Sequence, residues 1–491
     1  MIVHLPVLQV VLPLLCAPLC VLFRTPRVAA LIYFIAAASA FACAVGLNLQ
    51  TLDGIVLHYR LGGWSPPAGI EYVIDGANAP LLLLVSLIAL LVSVYAPRSI
   101  ASELEPARVG LFFACMCLCL TGLLGIAATG DAFNVFVFLE ISSLASYALI
   151  ALGKRRRALL AAFQYLVLGT IGGTFLLIGI GLAYAVTGTL NMADLAQRVP
   201  ELGENRALIG AIAFVTIGMA IKAAVFPLHA WQPGAYSESP SAVGLFLSAT
   251  GSKIALYTLC RFLFTIFGAS VAFQILPLSQ IGLLVGCAGM IAGSLMACLQ
   301  TDFKRVLAWS SIGQVGYIVA GISLATSEGL TAAYLHILNH ALIKAALFAA
   351  AGVVMLRLGG TDLQSIAGLG RLMPWTFAMI VVAGLGLIGV PLSAGFVSKW
   401  ALATALIDSG QWLVLVAVLF SSLLALVYVG RIVEAAWFRE PQAGRTPAAV
   451  PRAMTAVTAL LAISTIYFGI DTRLPLALAQ TASAALLGVA P

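Results

Sequence analysis

Charge is scarce in this chain. Only 9% of its 491 residues are Asp, Glu, Lys or Arg, whereas a soluble globular domain carries roughly 25%, so an ordinary water-soluble fold is excluded. Histidine is rarer still, with five in all, and none are paired across hydrophobic segments as haem ligation requires. There is no Gly-rich phosphate loop of the Walker type, which leaves nucleotide use without a signal. The net charge of +7 is spread over short loops rather than gathered on a folded soluble domain, and this argues against a nucleic-acid surface. Cysteine is not lacking, but Cys115, Cys117 and Cys119 sit at alternate positions of an apolar run and point to different helix faces. They read as small buried hydrophobes, not metal ligands.

What the chain does have is long hydrophobic runs. Hydrophobic residues make up 62% and the mean hydropathy is +1.09. A bilayer core of about 30 Å takes roughly 20 apolar residues per helix, and windows of that length recur near 2–22, 28–47, 79–96, 109–128, 131–152, 162–186, 207–226, 241–267, 280–300, 304–325, 329–357, 374–408, 411–437 and 452–470. The expectation is an all-α polytopic membrane protein of fourteen spans. The first run lacks the basic start of a signal peptide and another follows at once, so it is read as staying in the membrane.

Alternate loops, starting after span 1, carry Arg24, Arg27, Arg98, Arg108, Lys154, Arg155, Arg156, Arg157, Lys304, Arg305, Arg357, Arg371, Arg439, Arg445 and Arg452. The opposite loops and the tail carry Arg60, Arg198, Arg206 and Arg473. By the positive-inside rule both termini lie outside the cytoplasm of a bacterial-type cell membrane. The run Lys154–Arg157 reads as topology and anionic-lipid contact. The external loop 48–78 reads as turns or a short hairpin over the bundle, with no chemistry assigned.

Against this background, Glu140, Lys222, Lys253, Lys344 and Lys399 fall inside spans. A charge at the centre of a span costs about 2.5 to 3.5 kcal/mol, so five cost roughly 12 kcal/mol or more, comparable with the whole stability of a typical protein. A single such residue is as easily a structural ion pair or a snorkelling lysine; five together point to a pathway. One acid cannot pair with four bases. Burial disfavours the charged form of an amine, so these lysines suit a proton relay. His336, His340 and Lys344 are spaced by four and stack along one helix face over about 12 Å. The histidines extend the relay better than they make a zinc pair, for no acid or third ligand lies near them in sequence.

Two spans are interrupted. Pro227 breaks "IKAAVFPLHAW" five residues after Lys222, and Gly386, Gly389 and Pro391 interrupt "GLGLIGVPLSAGFVSKW" before Lys399. Breaks free backbone carbonyls that lipid cannot satisfy but a polar cavity can. Paired broken spans are the sequence mark of an internally repeated transporter with its ion site near the midplane.

The motifs "FNVFVFLE", "IKAAVFPLHAW", "TDFKRVLAWSSIGQVGYI", "HILNHALIK" and "GVPLSAGFVSKW", in that order from about 75 to 410, resemble the antiporter-like membrane subunits shared by Mrp-type cation/proton antiporters, respiratory complex I and membrane-bound hydrogenases. The resemblance implies fourteen helices with two inverted five-helix repeats: an N-terminal segment 1–108, a first repeat 109–267 (helices 4 to 8), a second repeat 280–437 (helices 9 to 13) and a C-terminal segment 438–491. It implies that Glu140 pairs with Lys222, that Lys253 joins the two halves, that His336, His340 and Lys344 continue the wire, and that Lys399 forms a distal gate. Within the family the phrasing of "AYAVTGTLNMADLAQRV", the short segment after the last span, and lysine at 399 look most like the D-type member of Mrp antiporters.

The expected function is therefore a proton-translocating subunit of a multisubunit Na+/H+ antiporter, working with other membrane subunits on protons and Na+, with no cofactor, metal or covalent chemistry of its own. The alternative is a proton-pumping subunit of a redox complex of the NADH:quinone oxidoreductase or hydrogenase type. A passive scaffold is opposed by the cost of the buried charges. An organic-solute transporter is opposed by the lack of substrate-shaped polar groups at the breaks.

Overall fold

The computed structural model describes residues 2–23, 25–52, 54–203, 205–440 and 450–489. Arg24 and Arg445, counted above among the loop cations, lie outside the described residues. Helices α1 (Leu5–Leu22), α2 (Pro26–Leu52), α3 (Ala79–Glu103), α4 (Val109–Ala128), α5 (Ala132–Ala151) and α6 (Arg157–Thr187) come first. The short α7 (Met192–Arg198), α8 (Arg206–Ala223), the short α9 (Gln232–Glu238), α10 (Ser241–Cys260) and the short α11 (Ala269–Ile275) follow. Then come α12 (Leu278–Leu299), α13 (Phe303–Ser323), α14 (Ser327–Leu358), the one-turn α15 (Leu369–Leu372), α16 (Pro374–Ile388), α17 (Ala394–Asp408), α18 (Trp412–Trp437), α19 (Arg452–Ile470) and α20 (Arg473–Leu487).

Among the described residues, 13 helices are long and apolar enough to cross a membrane. The segment 374–408 supplies the fourteenth expected span as two half-length helices, α16 and α17. The chain is a multi-pass membrane protein. The segment after the last span is more than a tail: α20 folds back so that the Ser483 hydroxyl donates to the Ser327 carbonyl at 3.0 Å.

Polar side chains decide where many helices begin. Asp131, Asn205, Asp302, Thr326 and Ser393 each accept a hydrogen bond from an N–H in the first turn of α5, α8, α13, α14 and α17, satisfying donors that apolar surroundings would leave bare. Asp131 also bridges Asn191 and Asp302 bridges Asp362, both antiparallel, and the same 171 residues separate Asp131 from Asp302 and Asn191 from Asp362. The chain thus starts α5 and α13 with one device used twice.

The helices are graded by burial. The spans holding α10 and α13 are 94% buried, whereas α1 and α19 are 33% buried. With α4, at 89%, and α14, at 78%, they form a central column inside more exposed helices. Polar groups concentrate on that column, where packing can hold them.

The loop 48–78 folds as the expected hairpin, β1 (Leu57–Arg60) antiparallel to β2 (Glu71–Ile74), with Leu57 opposite Ile74. Asp75, just past β2, takes both guanidinium nitrogens of Arg261 at 2.7 and 2.8 Å, which ties the loop to the π-helical turn Arg261–Ile266 that continues α10. Burial pushes the Asp75 carboxyl up, but the Arg261 guanidinium and the N–H groups of Asn78 and Ala77 outweigh it and hold it below its ordinary value. A depressed carboxyl adds stability above its unfolded pKa and loses it as pH falls through the folded one. Asp75→Asn should cost about 3–5 kcal/mol, because it strands a buried guanidinium. Denaturation of the two proteins across pH checks both points: their difference should shrink only under acid conditions below the normal carboxylate range.

Candidate functional site

The column of buried charges starts on α5. Glu140, Ser143 and Tyr147 lie at i, i+3 and i+7, hence on one face, and that face meets Lys222 near the end of α8. The Lys222 ammonium donates to the Ser143 hydroxyl at 2.7 Å and the Tyr147 hydroxyl at 3.5 Å; Glu140 Oε1 stands 3.9 Å away. This is an ion pair held apart by hydroxyls rather than a closed salt bridge. Glu140 Oε1 is buried without a hydrogen-bond partner among the described residues. Across from it lies Gly173 of α6, where a Cβ would run into Glu140 Oε1. Gly173→Val should therefore displace the Glu140 carboxylate from its place beside Lys222 and, on the relay expected from the sequence, cut proton flux about tenfold or more, as misplacement of about 1 Å does at other reaction centres; unchanged flux would show that this spacing does not matter.

A cavity of about 40 Å³ opens beside Lys222, lined by Ser142, Ser143, Ser146, Gly251 and Thr258 among others. It has room for a few water molecules by volume and reaches α10, which carries Lys253. The Lys253 ammonium, 1% exposed as a residue, donates to the Ser248 carbonyl and the Ser252 hydroxyl of its own helix. α10 packs on α14, which carries His336, His340 and Lys344.

On α14 the three predicted groups are held differently. Lys344, fully buried, donates to the Leu307 carbonyl at 2.7 Å and the Ser310 hydroxyl at 2.6 Å on α13. His336 is clamped on both sides: Nε2 faces the Gln314 amide oxygen at 2.9 Å and Nδ1 faces the Ser398 hydroxyl at 2.8 Å. Facing an amide oxygen, Nε2 donates, and in the neutral ring Nδ1 then accepts from the Ser398 hydroxyl. His340 stacks on His336 with ring centroids 5.8 Å apart and planes 7° from parallel, yet neither of its nitrogens has a partner among the described residues.

The column ends at the second break. α16 stops at Ile388, Gly389 turns at φ 88°, and the segment through Pro391 leads into Ser393 and α17. Lys399 reaches back from α17 to donate to the Leu387 and Ile388 carbonyls at 3.0 and 2.9 Å and to the Ser422 hydroxyl at 3.1 Å, with its ammonium 4.7 Å from the centre of the Tyr317 ring. A Cβ at Gly389 would lie 2.8 Å from Lys399 Cδ, so glycine serves both the backbone turn and the lysine that crosses it. A cation at a helix C-terminus is also favoured by the macrodipole.

The first break is built otherwise. α8 ends at Ala223, and Ala224 takes the left-handed conformation at φ 58°, so Pro227 lies in the connecting segment after the helix has already stopped. The Ile221 carbonyl accepts the Ala224 N–H at 3.1 Å and the Trp231 indole N–H at 2.9 Å, rather than the Lys222 ammonium.

All seven predicted groups thus lie on five helices, α5, α8, α10, α14 and α17, and two direct contacts join neighbours among them, Glu140 with Lys222 and His336 with His340. Their hydroxyl and amide partners, Ser143, Tyr147, Ser310, Gln314, Ser398 and Ser422, were not singled out from the sequence, although Ser143 and Tyr147 at helical spacing from Glu140 could have been. Lys304, assigned to a loop, is in fact 2% exposed and donates to the Ser241 hydroxyl at 3.0 Å, joining α13 to the start of α10. The sequence rule counted it as a loop cation because it stands in the first turn of its helix.

Residues 129–425 match the family model described as NADH:quinone oxidoreductase/Mrp antiporter, TM. The chain is 41% identical over 445 residues to NADH-quinone oxidoreductase subunit N of Desulforudis audaxviator, covering 90% of this chain and 88% of that one. It is 31% identical over 473 residues to the D subunit of the Na(+)/H(+) antiporter of Bacillus subtilis, covering 95% and 94%. A chain in the structure of the Mrp complex from Dietzia sp. DQ12-45-1b superposes with a TM-score of 0.89 at 28% identity, over 99% of this chain and 97% of that one. With its matched segment running from the Asp131 cap to beyond the Lys399 break, the chain belongs to the NADH:quinone oxidoreductase/Mrp antiporter transmembrane family.

Proposed function

We propose that this chain is the proton-translocating subunit of a multisubunit Na+/H+ antiporter, carrying protons along Glu140, Lys222, Lys253, His336, His340, Lys344 and Lys399. The observation that carries this reading is the set of buried lysines held by neutral oxygens: Lys222, Lys253, Lys344 and Lys399 each donate to a hydroxyl or a carbonyl, and among the described residues only Lys222 of the four has a carboxylate within 4.0 Å. Movement of Glu140 toward or away from Lys222 changes the preference of the lysine for its proton, and the change passes along the column. Partner membrane subunits complete the complex, and the chain itself performs no covalent chemistry.

The proposed organisation is the one expected from the sequence: residues 1–108, a repeat 109–267, a repeat 280–437 and a C-terminal segment 438–491, now with α20 in it. The 171-residue offset between the two Asp bridges supports the pairing of the repeats. The excess of loop arginines and lysines on one side supports a cell-membrane setting with both termini outside.

A second reading, a proton-pumping subunit of a redox complex, is favoured by the 41% identity to a quinone oxidoreductase subunit N. One experiment separates the two: proton flux in inverted vesicles from antiporter-deficient cells expressing this chain with its neighbouring genes, for the native protein, Lys222→Ala and Glu140→Ala. Flux that requires sodium and both residues is expected. Flux that ignores sodium but needs an electron donor would give the second reading, and flux untouched by either substitution would remove the relay.

A further inference from the structure

At the ends of α2, α3 and α4 the structure holds a concave site that plays no role in the proton path. Its volume is about 610 Å³ and its rim carries Arg27, in the first turn of α2, and Arg98, near the end of α3. Its floor is apolar, with Ala30, Ile100, Val109 and Phe113. Neither arginine has an ion pair or hydrogen bond among the described residues, although Arg108 nearby is paired with Glu105 at 3.6 Å. Two unpaired guanidinium groups over an apolar floor fit neither a structural ion pair nor a simple lipid-facing surface.

We infer that this site binds an anionic phospholipid, its phosphodiester between Arg27 and Arg98 and its acyl chains against Ala30, Val109 and Phe113. Charge complementarity sets the sign of the ligand. Guanidinium groups match phosphate oxygens in fork geometry, and the first turn of α2, at the site, adds N–H groups that favour an anion. Continuity with the lipid-facing surface sets the source. Leu22, Phe23 and Leu31, close in sequence to the lining residues Pro26 and Ala30, are 71%, 50% and 56% exposed, so exposed apolar surface flanks the site. Both arginines belong to the basic-rich loops, the side where anionic lipid attracts cations at the ends of spans.

The test uses the full-length chain with the subunits that co-purify, reconstituted in mixtures of phosphatidylglycerol and phosphatidylcholine, with retained lipid counted by native mass spectrometry after mild delipidation. The native protein should keep phosphatidylglycerol in preference to phosphatidylcholine. Arg27→Gln and Arg98→Gln should each lower that retention about fivefold and the double substitution about thirtyfold, from the usual attraction of one basic residue to an anionic surface. Arg206→Gln, on the opposite set of loops, should leave it unchanged, and Arg27→Lys with Arg98→Lys should restore most of it, which guards against a folding defect. Equal retention of the two lipids, no loss in the double variant, displacement of the lipid by millimolar inorganic phosphate, or crosslinking of an Arg98→Cys variant to a neighbouring subunit instead of lipid would each overturn the assignment.

Discussion

Lys399→Met should lower both proton flux and stability. The Lys399 ammonium is the partner of the Leu387 and Ile388 carbonyls at the end of α16, and a thioether cannot replace it. An unsatisfied buried acceptor costs about 1–3 kcal/mol, so the loss should be about 2–6 kcal/mol, read as a lower unfolding midpoint in detergent. Flux should fall by about two orders of magnitude, the scale on which a positioned proton carrier contributes. Ser422→Ala, which removes the third acceptor and a contact of the Tyr317 hydroxyl that the Val418 carbonyl also takes, should change both little. A Lys399→Met protein as stable as the native one would mean that the second break does not depend on its lysine.

Lys344→Met should separate the two effects. Lys344 is as deeply buried, but its acceptors have other partners: the Leu307 carbonyl also receives the Ser310 and Ser311 hydroxyls, each at 3.0 Å. Removing the amine strands nothing and takes away a group that is costly to bury. Flux should again fall by about two orders of magnitude, while stability stays level or rises, as when buried charges are replaced by apolar side chains of similar volume. Full flux in Lys344→Met would take α14 out of the relay at that point. The contrast between positions 344 and 399 isolates the double duty of the lysine at a helix break.

Much of this arrangement was legible in the sequence, for a definite reason. In lipid an ionisable residue is costly enough to stand out against its neighbours, so Glu140, Lys222, Lys253, Lys344 and Lys399 could be found one at a time. The hairpin in 48–78 and the split of 374–408 followed from Gly and Pro in runs that could not continue regular structure. Partners were harder to see. Ser310 and Ser398 are unremarkable in sequence, and only the packing of α13 and α17 against α14 makes them acceptors and donors. The end of α8 at Ala223 was hidden because alanine at 224 gives no sign of a left-handed turn, and Pro227, which does signal a break, lies beyond it. Lys304 was misplaced because a residue in a first helical turn is adjacent in sequence to the loop, while packing against α10 buries it. The features of length and Lys399 did not separate the antiporter D and oxidoreductase N types, since both kinds of relative align over most of the chain.

The clamp on His336 and the lack of one on His340 have a consequence for direction. A row of groups all fixed in place passes a charge equally well either way, like a wire. His340, stacked on its neighbour, has no hydrogen-bond partner at either nitrogen among the described residues, which makes it the looser joint of the two. On the proposed path such a joint makes or breaks the connection between the two halves according to which way it faces at a given moment. A slow external event that sets the facing of one imidazole would then act as a ratchet, and transport in one direction would require no larger movement of the protein than that.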